Sequence, residues 1–215
     1  MSAAHGEQVR VLEEHGIETT GRSPEWWGMM FFITSEALIF ANLIAAYLYL
    51  EIRGNLGVRW ATPWVLPSGG HLEYAYPAFN TLILIISSGW MHLSGMASRK
   101  GNMKAAARWL ILTIVFGVIF LGGQVYEYIG LYHGGFNLQY KAFGSAFFLL
   151  TGFHGLHVTI GATFLLILLI RTMRGDFTAK KRFALEAGEM YWHFVDIVWV
   201  VVFSTVYLLP LLMVK

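Results

Sequence analysis

Ionisable side chains interrupt the last apolar segment of the chain, between residues 186 and 207. Glu189, His193 and Asp196 are spaced i, i+4 and i+7, so a helix presents them on one face. Such groups are costly inside a bilayer unless they face other protein, pair with each other or meet water. We therefore expect a tightly packed, inward-facing helix that the other helices cover. With Glu186, these residues form either a proton entry or a hydrogen-bonded network that fixes the helix against another protein surface.

A further carboxyl group lies deep in the first apolar segment. At 1.5 Å per residue, Glu36 is about 14 Å beyond Trp27, close to the middle of a membrane. One interpretation is a proton-relay or ligand carboxylate. The other is a neutral acid, bonded to a nearby hydroxyl or backbone group at a buried helix contact. Glu127 falls near the far end of the third apolar segment, where we expect a water-facing or interfacial position.

Two histidines lie one turn apart in the sequence TGFHGLHV. His154 and His157 could share a metal ion, but a tetrahedral site needs further ligands. Gly152 and Gly155 beside them favour a close helix approach, as small residues do in membranes. This pattern predicts that both histidines donate interhelical hydrogen bonds.

A histidine pair on two other segments raises a different possibility. His92 falls at a depth close to that of His193, and such a pair could ligate a haem from two helices. The sequence offers no second pair of this kind. A free-standing membrane cytochrome therefore stays an alternative, to be tested by the optical spectrum of the isolated chain.

The composition indicates the elements that must position these residues. Of the 215 residues, 56% are hydrophobic and only 13% are charged, against roughly 25% charged in soluble domains. Five segments reach the roughly 20 apolar residues that a spanning helix needs. We predict an all-α, polytopic membrane helix bundle with a polar arm at 1–25 and a transmembrane domain at 26–215. The five predicted spans are about 27–50, 76–97, 109–131, 142–170 and 190–214.

Basic residues predict the orientation of the bundle. Eleven of the fifteen Lys and Arg residues fall on the side of the N-terminus and four on the other side. Because basic residues favour the cytoplasmic side, we expect a cytoplasmic N-terminus and an outer C-terminus in a bacterial plasma membrane. The first 25 residues have no apolar core, so we expect no cleavable signal peptide.

The sequence lacks the motifs of the common catalytic classes. It has no cysteine, and no Walker-type loop, HExxH or GxSxG occurs. Disulfides and thiolate metal sites are thereby excluded. A proton-coupled transporter using Glu36 and Asp196 is a further alternative, but no segment shows the Gly/Pro-interrupted pattern of a midplane substrate site. We therefore expect no catalytic, cofactor-binding or metal-ligating residue in this chain.

Four motifs in register resemble subunit III of the haem–copper terminal oxidases, the cytochrome c oxidase type in particular. They cover nearly all of the chain after residue 25 and are GMMFFITSEALIF at 28–40, Asn80-Thr81 at the start of the second span, GSAFFLLTGFHGLHVTIGATFL at 144–165 and EAGEMYWHFVDIVWVVVFSTVY at 186–207. The family's typical member has seven spanning helices, whereas five are expected here. The resemblance therefore leaves open whether the lipid-filled cleft beside the first two helices exists in this protein.

The resemblance implies roles for individual residues. Glu36 matches the family's buried glutamate, which faces an interior cleft, and Arg171 resembles a basic residue that meets a lipid phosphate. Such a basic helix end also suits anionic head groups electrostatically. Together with Glu127, which the resemblance does not cover, the residues that we expect to be buried and polar, structural or part of the proton environment are Glu36, His154, His157, Glu186, His193 and Asp196.

The resemblance also implies partners and function. The family's subunit III holds no haem or copper, packs on the catalytic subunit, binds lipid and helps to sustain proton uptake. Expected partners are oxidase subunits I and II, which would carry the haem and copper, with phospholipids and a small subunit IV as a further candidate. No nucleic acid partner is implied. Subunit III of a quinol oxidase and a related protein of nitric oxide reduction stay as alternatives.

Overall fold

The computed structural model describes residues 23–54, 74–139 and 141–209, and these residues form five long α-helices. Each contains an apolar stretch long enough to cross a bilayer. The predicted all-α bundle of five membrane-spanning helices is thus confirmed. The helices are α1 (Pro24–Gly54), α2 (Ala75–Arg99), α3 (Met103–His133), α4 (Lys141–Arg174) and α5 (Phe183–Phe203), and a π-helical turn at Ser204–Leu208 follows α5.

Several helix ends lie outside the predicted spans. The predicted start of α3 was Trp109, but the helix begins at Met103 because the Asn102 side chain accepts a hydrogen bond of 3.0 Å from the Ala105 backbone nitrogen. This is an ordinary N-cap, which satisfies a backbone donor left free in the first turn. Most of the predicted polar arm (1–22), the greater part of the predicted loop (55–73) and the chain end (210–215) lie outside the described residues.

The start of α5 is the largest difference. The apolar pattern placed it at Met190, whereas the helix begins seven residues earlier, at Phe183. The added turns carry Glu186 and Glu189. Because these residues are charged, a search for runs of apolar residues leaves them outside the predicted span. Both carboxylates are paired with arginines near this end of the helix, so their charges do not prevent the helix from extending.

Helix α5 lies at the centre of the bundle. It packs against α1, α2 and α4, while α2 and α3 form a closely packed antiparallel pair. In the most apolar part of the α5 span, 61% of the residues are buried, against 6% for α1. The expectation that the last span is the inward-facing, covered helix is confirmed.

Large apolar side chains cover much of the outer surface of the described helices. Phe31, Phe79 and Met173 are among those that are well exposed. A soluble monomer rarely exposes contiguous apolar surface on this scale. Such a surface is suited to contact with lipid or with other membrane proteins.

Candidate functional site

The principal polar contacts of the bundle join α5 to α2 at successive depths. The indole nitrogen of Trp199 donates to the Thr81 hydroxyl at 2.9 Å. About two turns away, the indole nitrogen of Trp192 donates to the Ser87 hydroxyl at 3.0 Å. All four side chains are buried. Buried indole N–H groups need such partners, so these bonds set the register between the two helices.

Close packing accompanies this register. The Trp192 ring lies against Gly117 of α3, where an added methyl group would come within 2.6 Å of its Cη2 atom. Glycine is therefore required at this position for the indole to reach its buried site. Small residues serve the same purpose at helix contacts in membranes generally.

The Glu189 carboxylate lies at the end of this contact where α2 ends and α5 begins. The Arg99 guanidinium contacts its two oxygens at 3.3 and 3.4 Å. His92 Nδ1 lies 3.3 Å from the Oε1 atom. Gly95 supplies the room, because a Cβ atom there would overlap the carboxylate. Glu189 is thus a buried carboxylate with one cationic partner and one imidazole partner.

One turn further into the bundle, His193 faces α2. Its Nδ1 atom lies 2.6 Å from the Ser88 hydroxyl oxygen. The same hydroxyl lies near the Asp196 carboxyl, but neither Asp196 oxygen has a hydrogen-bond partner among the described residues. Both Asp196 and Glu189 are buried. As the spacing predicted, the three residues share one side of α5.

Glu186 lies at the edge of this group. Its Oε1 atom is 2.9 Å from Arg182 Nε, one turn earlier on the same helix. The structure therefore brings Glu189, His193 and His92 together and leaves Glu186 in a local ion pair. The contributions of Arg99 and Ser88 were not predicted from the sequence, because these residues lie 90 and 105 positions from their partners along the chain.

Glu36 and His157 join α1 to α4. Glu36 Oε2 lies 2.9 Å from His157 Nε2. The other ring nitrogen, Nδ1, lies 2.8 Å from the Phe153 backbone oxygen, which accepts the Nδ1 proton and leaves Nε2 toward the carboxyl group. The partner of Glu36 is thus an imidazole, whereas the neutral-acid interpretation had a hydroxyl or backbone group in that place.

His154 does not make the interhelical hydrogen bond that the sequence predicted. It is wholly buried, and neither ring nitrogen has a hydrogen-bond partner within the described part of the chain. Its ring lies 4.7 Å from that of Trp199 and 6.0 Å from that of Phe120, centroid to centroid. The imidazole is enclosed by aromatic rings on neighbouring helices, which fill the space a polar partner would need.

Glu127, for which we expected a water-facing or interfacial position, lies near the far end of α3. It is half-buried and accepts a hydrogen bond of 2.7 Å from the Tyr207 hydroxyl, which lies in the π-helical turn after α5. This bond ties the far end of α3 to the end of the last span. The predicted span α5 is thereby held at both ends by polar contacts.

Arg171 closes α4 beside a short turn. Its Nε atom lies 3.2 Å from an Asp176 oxygen, and its guanidinium carbon lies 4.9 Å from the centre of the Phe177 ring. The side chain is 46% exposed. The guanidinium therefore keeps donors that face outward.

The fold and these contacts define a polytopic membrane helix bundle whose polar side chains largely join helices. The sequence profile of the family described as cytochrome c oxidase subunit III matches residues 15–210. A cytochrome c oxidase subunit 3 from Thermostichus vulcanus is 40% identical over 183 residues, which are 85% of this chain and 86% of that protein.

Other relatives agree across distant organisms. The subunit 3 proteins of Corynebacterium diphtheriae and Loxodonta africana are 37% and 39% identical over 84% of this chain, and over 85% and 68% of their own lengths. The chain belongs to the cytochrome c oxidase subunit III family, whose members are the non-catalytic third subunit of that oxidase and have no redox centre of their own. The family resemblance seen in the four motifs is confirmed, and the haem-binding cytochrome is not favoured.

Proposed function

We propose that this chain packs against subunits I and II of a proton-pumping respiratory cytochrome c oxidase, stabilises the catalytic subunit, binds phospholipid and sustains proton uptake. The haem and copper belong to the partner subunits, and a small subunit IV is a further candidate partner. The family membership of residues 15–210 is the observation that carries the proposal.

The polar contacts support a structural role for the individual residues. Glu36 and His157 join α1 to α4, and Glu127 joins α3 to Tyr207. In each of these contacts, a polar side chain holds two helical segments of this chain together. We therefore assign Glu36, His157 and Glu127 to holding the helices in the arrangement that the partner subunits contact, and Glu36 also to the environment of proton uptake. Glu186 is assigned a structural role at the start of α5 through its ion pair with Arg182.

Purification through a tag on this chain tests the proposal. In mild detergent, we expect co-purifying subunits with the reduced-minus-oxidised spectrum of haem and with bound copper. After the chain is separated from them, the chromophores should stay with the partners. A copurified complex that lacks haem or copper would contradict the proposed assembly.

The electron donor follows from the partner subunit rather than from this chain. The relatives described above carry names of cytochrome c oxidases, which favours cytochrome c over quinol. A copper-binding cysteine pair in the neighbouring subunit would support cytochrome c. Turnover with quinol, and none with reduced cytochrome c, would support the quinol oxidase alternative.

Arg171 is the residue that we propose for a lipid head group. Its side chain is half-exposed at the end of a spanning helix, where a lipid phosphate could accept charge-assisted hydrogen bonds from the guanidinium. Arg171→Gln should lower the anionic phospholipid retained per purified complex. Asp176→Asn, which frees the guanidinium from its ion pair, should retain at least as much lipid as the unmodified protein.

We also propose a bacterial plasma membrane with the N-terminus in the cytoplasm. The proposal depends on the excess of basic residues on the side of the N-terminus. A reporter enzyme that is active only outside the cytoplasm should be active when fused after residue 215. The same reporter should be inactive when fused between α2 and α3.

A further inference from the structure

We infer that His92, Glu189 and His193 form a binding site for a divalent transition-metal ion. One ligand atom from each residue lies within 4.8 Å of the other two. The sequence motifs predict no metal ligand here, and they place His92 and His193 together only as a possible haem pair. The three side chains come from two helices and converge only in the folded protein.

The spacing suits a small tetrahedral ion. With metal–ligand bonds of about 2.0–2.2 Å, neighbouring ligand atoms of a tetrahedron are separated by about 3.4 Å. His92 Nδ1 and Glu189 Oε1 already lie 3.3 Å apart. The His92 and His193 rings are 6.4 Å apart between centroids, close enough to serve one ion after small side-chain rotations.

Neighbouring groups orient the His193 ring and the Glu189 carboxylate for metal binding. The Ser88 hydroxyl engages His193 Nδ1, which leaves Nε2 as the free nitrogen of that ring. A hydrogen bond of this kind commonly orients a metal-ligating histidine. The Glu189 carboxylate is held in place beside Gly95, where any larger residue would displace it.

The ion has a route of entry and room for a fourth ligand. A cavity of about 550 Å³ opens onto the three side chains, and Trp26 and Glu186 also line it. The His92 side chain is 57% exposed, whereas that of Glu189 is 10% exposed. Two imidazoles, one carboxylate and a water position make a donor set that Zn²⁺ accepts.

Arg99 competes with the ion for the carboxylate. Its contacts to Glu189 are 3.3 and 3.4 Å long, whereas strong charge-assisted bonds are about 2.7–2.9 Å. The Arg99 side chain is 41% exposed, so it has room to turn outward when an ion arrives. Removing its positive charge should strengthen ion binding, because the repulsion between guanidinium and metal disappears.

Zinc binding to the purified, chelator-treated oxidase complex tests the site. Equilibrium dialysis with radioactive Zn²⁺ should show one site that is lost, or weakened at least about tenfold, in His92→Gln and in Glu189→Gln. His133→Gln is the matched control, since His133 is an exposed histidine at the end of α3 and outside the cluster. Zn²⁺ bound to the partner subunits contributes equally to every sample. A difference in bound Zn²⁺ between a variant and the unmodified complex therefore reports on this site alone.

Arg99→Gln separates a metal site from a purely structural ion pair. Metal binding predicts that this variant binds Zn²⁺ more tightly than the unmodified complex. X-ray absorption of the zinc-loaded complex should show nitrogen and oxygen ligands with imidazole scattering that decreases in His92→Gln. Equal Zn²⁺ stoichiometry and affinity in all variants, or weaker binding in Arg99→Gln, would overturn the proposal.

Discussion

The Glu36 carboxyl group on α1 and the His157 imidazole on α4 meet at 2.9 Å, across 121 residues of sequence. Glu36 is the thirteenth of the 31 residues of α1, and few residues of the α1 span are buried. The bond therefore positions a helix that has little other buried surface. Helix packing in lipid depends on such contacts and on close van der Waals fit.

Glu36→Gln should leave the complex assembled, because an amide keeps the shape of the carboxyl group and can still hydrogen-bond to His157. Glu36→Leu loses the bond, and we expect a stability loss of about 0.6 kcal/mol or more. Thermal unfolding in detergent and co-purification of partners measure both effects. Ser35→Ala is the control, since within the described part of the chain the Ser35 hydroxyl donates to the Phe32 backbone oxygen of its own helix. Failure of Glu36→Gln to assemble would indicate a charged structural partner.

Gly117→Ala should destabilise the bundle by about 1–3 kcal/mol, the usual cost of overpacking. The added methyl group would meet the Trp192 ring, whose indole nitrogen is fixed by its bond to Ser87. At Gly122, on the same helix, an added Cβ meets no atom within 4 Å from the described residues, the adjoining residues and helix backbone aside, so Gly122→Ala should be neutral or slightly stabilising. Comparing the thermal midpoints of these two variants in detergent separates packing from helix propensity. Equal midpoints would show that Trp192 can move aside.

Tyr207→Phe removes the hydroxyl that donates to Glu127 at 2.7 Å. We expect a loss of about 0.6–1.7 kcal/mol, from the average to the largest value found for interhelical hydrogen bonds in double-mutant cycles on a membrane protein. Tyr132→Phe is the control because Tyr132 is well exposed on the surface. Unfolding of the purified complex at several temperatures gives the comparison. A larger effect in the control would assign the loss to lipid contact instead.

His193→Leu should lower sustained turnover or weaken docking, because it removes the ring that bonds to Ser88. The haem bands of the complex should keep their position and intensity per assembled complex, as expected for a family without its own redox centre. Absorption spectra and oxygen consumption over many turnovers measure the two outcomes. Loss of a haem band in this variant, with the partner subunits still bound, would support the alternative in which His92 and His193 ligate a haem.

The amino-acid sequence alone determined the five spans and the family. Apolar run length is a local property, so a window of about 20 residues suffices to detect a span. The side on which Glu189, His193 and Asp196 lie followed from helical periodicity in the same way. Helix ends were harder to predict, because the start of α5 depends on the ion pairs of Glu186 and Glu189 rather than on apolar residues.

The tertiary structure alone decided which polar groups meet. Glu189 pairs with Arg99, and Glu36 with His157, at separations of 90 and 121 residues that no local pattern encodes. His154 shows the same limit: its motif predicted a hydrogen bond, but aromatic rings from other helices enclose it. Side chains from α2 and α5 become one candidate metal site only because the packing of these two helices sets their relative depth and rotation.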